Sequence, residues 1–189
     1  MARKTIAELL AAVNADFPDN NTGVITPAII RSFFSALIDA FAPAFAYLTR
    51  DTPQSLGVVG LFPVVIGNLN GVGFAQSPEW TRDMSAGTIT SPDGGPTAAL
   101  INVQATMELA ANDAVELEIF VNGAASGYIK QAVAGEGGGA ANPVSVTFGG
   151  VVALLTGPVT FDVRIRSLMG NASPTVNYMA LYASALPVR

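Results

Sequence analysis

The sequence predicts a mainly β protein, an antiparallel jelly roll or β-sandwich preceded by a short N-terminal two-helix arm. Three observations carry that expectation. Residues 1–48 are Ala-rich and space their apolar side chains at three and four, without strand alternation. From Leu61 onward, apolar or alternating segments recur at roughly 8–12-residue spacing between Gly, Pro and Asn turns. No long helical segment separates those strands, which disfavours a parallel α/β sheet. The chain has 189 residues, enough for one domain and an appendage. The expected division is a helical arm over 1–50, a linker over 51–60 and a jelly-roll domain over 61–189.

The first helix is expected over 5–15. Thr5 can cap it, and Glu8 three residues on completes a capping box. Ile6, Leu9, Leu10 and Val13 share one face, and Pro18 to Gly23 has loop chemistry. The second helix opens on Thr26-Pro27, an N-cap followed by the proline favoured at the first helical position. Ile30, Phe33, Phe34, Leu37, Ile38 and Phe41 form its apolar stripe, and Pro43 ends or kinks it. The stripe continues loosely through Phe45 and Leu48, and residues 49–57 read as a polar linker.

The β-region begins with a short strand over 61–66, whose Pro63 indicates an edge or an irregular start. Residues 67–97 should be mostly loop, with short strands over 80–84 and 87–90. The clearest alternation follows, over 99–109 and 115–121. In the second of these, Val115, Leu117, Ile119 and Val121 oppose Glu116, Glu118 and Phe120. Asn122-Gly123 is a strong hairpin signal, with the return strand over 128–133. The glycine run at 135–139 reads as an exposed loop tip. Strands are then expected over 143–148, 151–156, 159–167 and 176–186.

Composition narrows function. Half of the residues are hydrophobic and 12% are charged, against roughly 25% in an average soluble domain. Either a membrane or a partner surface must cover the excess. A spanning helix needs about 20 predominantly apolar residues. The best stretch, 29–48, contains Arg31, Asp39 and Pro43, so no membrane span is expected. Glu8 likewise interrupts the apolar run a signal peptide requires. Self-association is the expected cover, because oligomer interfaces resemble a domain core cut in half.

The net charge of −5 and the nine dispersed Lys and Arg leave no footprint for nucleic acid. The chain has no His and no Cys. That removes the usual general base, the Ser-His-Asp triad, thiol nucleophiles and the commonest metal ligands. No catalytic site, metal or cofactor is expected. Absence of Cys fits synthesis in a reducing cytoplasm.

The remaining candidates are these. Glu116 and Glu118 read as a solvated strand face, or as the two carboxylates of a small glycan hydrolase. Asp162, Arg164 and Arg166 suggest a charge ladder across neighbouring strands. Trp80, beside Glu79, Arg82 and Asp83, reads as a tryptophan packed on the sandwich edge or as part of a ligand pocket. In the arm, the stripe of Ile30, Phe33, Phe34, Leu37, Phe41 and Phe45 reads as an assembly interface, since two short helices make a poor core alone.

The segment ITPAIIRSFFSALIDAF, Ile25 to Phe41, resembles an N-terminal element of tailed-bacteriophage virion proteins. There a helix opening with Ile-Thr precedes a receptor-binding or decoration domain. The segments VELEIFVNG, VTFDVRIRS and VNYMALYASALP resemble the trimeric jelly rolls of the tumour-necrosis-factor and complement type, a shape also used by phage fibre knobs and capsid cement proteins. Together they imply a homotrimer, made in a host cytoplasm and displayed on a virion surface. The expected function is a capsid decoration (cement) protein whose partner is the major capsid protein or another virion component. The alternative is a short tail fibre or receptor-binding knob for a host glycan or protein, with Trp80, Tyr128 and Tyr178 as contacts.

Overall fold

A computed structural model describes residues 11, 15, 29–34, 45–75, 80–91, 98–136, 142–153 and 157–186. The chain forms two compact units, the first ending at Pro43 and the second beginning at Ala44. In the first, Ala11, Ala15 and residues 29–34 are helical, in keeping with the expected arm. Leu37 and Phe41 lie outside the described residues.

Among the described residues the second unit has twelve strands: β1 (Phe45–Arg50), β2 (Gln54–Ser55), β3 (Val64–Val65), β4 (Gly73–Ala75), β5 (Thr81–Asp83), β6 (Thr88–Thr90), β7 (Ala98–Leu109), β8 (Ala114–Val121), β9 (Ala124–Ala134), β10 (Asn142–Ala153), β11 (Thr160–Ser167) and β12 (Thr175–Ala185). They build two antiparallel sheets. The β12 sheet has the order β10-β7-β12-β1-β4, with β2 also on β12. The β11 sheet has the order β5-β6-β11-β8-β9, with β3 also on β11.

Set aside the short strands β2 to β5, and the other eight pair in nested order. β1 pairs with β12, β6 with β11, β7 with β10 and β8 with β9, all antiparallel. One long hairpin rolled into two facing sheets is a jelly roll, as the sequence predicts. Alternation puts Leu48, Ile101, Met107 and Leu181 of the β12 sheet inside, facing Leu117, Ile119, Phe161 and Ile165 of the β11 sheet, all fully buried. Each such side chain contributes about 1.5–3 kcal/mol of burial free energy. Asn122 and Gly123 both take positive φ, as a type I′ hairpin turn requires.

Four expectations need correction. The strand series opens at Phe45, inside the stretch read as arm and linker. Ala46, Leu48 and Arg50 alternate inward, and β1 holds a six-residue register with β12. Arg50 is 2% exposed, and its guanidinium donates to the carbonyls of Thr52, Gly67 and Asn68. Desolvation by burial lowers its pKa from the ordinary arginine value. The run 61–66 keeps only a two-residue strand, β3.

The strands expected over 143–148 and 151–156 are one strand, β10, in unbroken register with β7 through Gly149-Gly150. The glycines mark close approach rather than a turn. A Cβ on Gly149 would strike the Ile101 carbonyl and the Asn102 side chain, and one on Gly150 would sit 3.0 Å from Ile129. Lastly, Trp80, just before the edge strand β5, is buried in the core and is not the ligand contact of the alternative reading.

Candidate functional site

The two sheets have similar inner faces and different outer ones. On the β11 sheet the outer face is charged. Antiparallel register sets Arg166 opposite Glu116, Arg164 opposite Glu118 and Asp162 opposite Phe120. Arg166 donates to Glu116 Oε1 from Nε at 2.9 Å and from Nη2 at 2.6 Å. Lys130 of β9 reaches the other oxygen of Glu116 at 3.5 Å. Arg164 donates to Asp162 at 2.7 Å and lies 4.2 Å over the Phe120 ring. The expected ladder is therefore present, with Arg166 and Lys130 on Glu116 and Arg164 on Asp162.

Glu118 is 8% exposed and accepts the Gly127 N–H at 2.7 Å. Residues 126–129 bulge out of register opposite Ile119, and this carboxylate ties the bulge down. Glu116 is held between two cations and Glu118 by backbone. Neither is the solvated strand residue the sequence suggested, and both carboxylates already have structural partners.

On the β12 sheet the outer face is nearly free of charge. Phe45, Tyr47 and Thr49 point outward from β1, and Tyr178, Ala180, Tyr182 and Ser184 from β12. β7 adds Leu100, Asn102, Gln104 and Thr106, and β10 adds Ser145, Thr147 and Val151. Glu108, which accepts from Asn177 at 3.2 Å, is the one charged outward side chain among the described strand residues of this sheet. Tyr47 lies directly across from Tyr182 in register. The Phe45 ring stacks on Tyr47 at 6.5 Å and on Tyr182 at 5.7 Å between centroids. Thr106 and Ser145 bond across strands at 3.3 Å. Such a surface can be desolvated without stranding a charge, and its hydroxyls and amides can form hydrogen bonds across an interface.

The sequence candidates distribute unevenly. Phe45, expected on a helix, and Tyr178 come together on this outer face. Ile30 and Phe34 are exposed on the helical segment of the first unit, where the Phe33 and Phe34 rings meet edge-on at 5.8 Å. Tyr128 is exposed on β9 and donates to the Val151 carbonyl at 3.2 Å, bridging from β9 to β10. Trp80 is 2% exposed and cannot present its ring to a ligand. Sequence reasoning missed Tyr47 and Tyr182. The signal for Tyr47 was the alternation Phe45-Ala46-Tyr47-Leu48, masked by an overlapping helical spacing.

Among the described residues, no helix is long and apolar enough to cross a membrane. No protein-family model matches the chain, and no curated protein matches it.

Proposed function

We propose that this protein is a non-catalytic structural subunit that assembles as a homotrimer through the outer face of the β12 sheet, and that the trimer decorates a phage capsid. One observation carries the self-association: the charge-poor aromatic outer face of that sheet, set against the charged outer face of the other, where Glu116, Arg166, Lys130, Asp162 and Arg164 form ion pairs. It accounts for the apolar excess in the composition, because a surface of this kind loses little when it is removed from water. The trimer and the virion setting draw support from the jelly-roll topology together with the resemblances of residues 25–41 and of the late strands. The mechanism is adhesive: subunits bury apolar surface on one another and on the capsid shell.

Two measurements test the reading. Sedimentation equilibrium should give three times the 19.4 kDa chain mass. On purified particles, quantitative gels should show hundreds of copies, and particles lacking the protein should lose resistance to heat. A monomer in solution contradicts the assembly, and a few copies per particle contradict decoration. The exposed Tyr128 ring favours a second reading, a short tail fibre or receptor-binding knob. A low copy number together with loss of host attachment on Tyr128→Ala would select it.

A further inference from the structure

A second exposed apolar surface lies away from the aromatic cluster. Residues 56–65 cross from the β12 sheet to the β11 sheet near the start of β12, at the end opposite Phe45. Their backbone is anchored on both sheets. Leu56 N–H donates to Pro174 at 3.0 Å, Val59 exchanges hydrogen bonds with Ala172 at 2.7 and 3.0 Å, and the Gly60 carbonyl accepts from Ser167 at 2.8 Å. Val59 and Ile66 turn into the core. Phe62 (85% exposed), Met169 (72%), Val58 (71%) and Leu61 (60%) project from this frame, with Leu168 and Val64 beside them. No charged residue occurs in 52–78 or in 167–188, the two stretches that supply the knob.

We infer that this apolar knob packs on the outer face of the β12 sheet of the next copy of the chain, so that the assembly interface is heterologous. The inference rests on the proposed self-association and specifies its geometry. A ring of three identical chains needs two different patches per subunit, one meeting each neighbour. The outer face of the β12 sheet is one patch. The other must be elsewhere on the same chain and equally free of charge, because a charge pressed on that face would be left without a partner. The outer face of the β11 sheet does not qualify, since it carries Lys130, Glu116, Asp162, Arg164 and Arg166, whose ion pairs would have to be removed from water. The knob does qualify. Taking about 150–200 Å² for a large exposed side chain, its six residues offer on the order of 600 Å². That is most of the ~800 Å² per partner of a standard interface. It also stands at the top of the roughly 300–600 Å² of the largest apolar patch on a typical monomer, a size that often marks a functional surface.

The test mixes two full-length variants. A knob variant carries Phe62→Asp and Met169→Asp, and a face variant carries Tyr178→Asp and Tyr182→Asp. Circular dichroism and thermal melts first establish that both fold. Each alone should be monomeric, with assembly weakened roughly 100-fold or more. An equimolar mixture should form a one-to-one dimer and stop there, because one intact face meets one intact knob and the ring cannot close. A knob variant that assembles as the wild type does overturns the inference and leaves the self-association standing. So does a mixture of two monomers that stays monomeric. A monomeric wild type overturns both. If a variant fails to fold, a photo-crosslinking residue at position 62 of the otherwise unaltered chain decides. It should crosslink to peptides of β1, β7, β10 or β12 of another copy, whereas crosslinks to residues 58–65 or 168–169, or none between copies, overturn the inference.

Discussion

The two sheets of this jelly roll share a core and differ outside it. Each contributes a row of fully buried aliphatic side chains, and each alternates strictly enough to define an outer face. Outside, the β11 sheet carries paired charges and the β12 sheet carries stacked rings, hydroxyls and amides. Fold demands explain the inner faces of both sheets but neither outer face. A charge ladder suits permanent contact with water, whereas a face with a single charge suits removal from it. The difference separates what the chain uses to fold from what it offers to a partner.

Substitutions should break or sharpen that contrast in descending order. The largest effect belongs to the shared core. Trp80→Ala should destabilise the domain by about 3–5 kcal/mol in urea unfolding, as expected of a core residue and not of a surface contact. Next, Tyr47→Asp places a charge inside the aromatic cluster. It should weaken self-association by about 30-fold or more, measured by sedimentation, and lower the melting temperature of the isolated subunit by less than Trp80→Ala does, through loss of the stacking on Phe45.

Effects on the β11 face should be smaller and confined to folding. Glu118→Ala leaves the Gly127 N–H without its acceptor and should cost about 1–3 kcal/mol. Glu118→Gln keeps an acceptor oxygen and should cost less. Glu116→Gln should cost under about 1 kcal/mol, because Arg166 and Lys130 are each more than a third exposed and water screens their attraction. Neither glutamate substitution should change the sedimentation mass. A change in mass with either would erase the distinction between the faces.

Much of the fold was legible because period-two alternation is local. β7, β8, β11 and β12 show it plainly, and Asn122-Gly123 announces its own turn. β1 was hidden because Phe41, Phe45 and Leu48 fit a helical spacing while Ala46, Leu48 and Arg50 fit a strand. Pro43 was the better boundary signal, since β1 begins two residues after it. Gly149-Gly150 suggested a break because sequence does not reveal that Ile101, Asn102 and Ile129 press on that backbone. Trp80 sits among loop-forming residues, and only the folding of both sheets around it makes it core.

The candidate surface was the least legible part. Phe45 and Tyr178 stood out for unrelated reasons, and they share a face because β1 pairs with the distant β12. The role of Glu118 depends on a bulge in β9 whose register no local pattern encodes. Charge distribution was the exception, since the charge-free stretches 52–78 and 167–188 can be read directly.

Hydroxyl-radical footprinting across a dilution series tests the central claim most directly. Tyr47 and Tyr182 should be protected at high concentration and become reactive on dilution in step with the fall in sedimentation mass, while the exposed Tyr128 on the β11 sheet stays reactive throughout. Equal reactivity of Tyr47 and Tyr182 at every concentration, while the mass changes, would contradict assembly through the outer face of the β12 sheet.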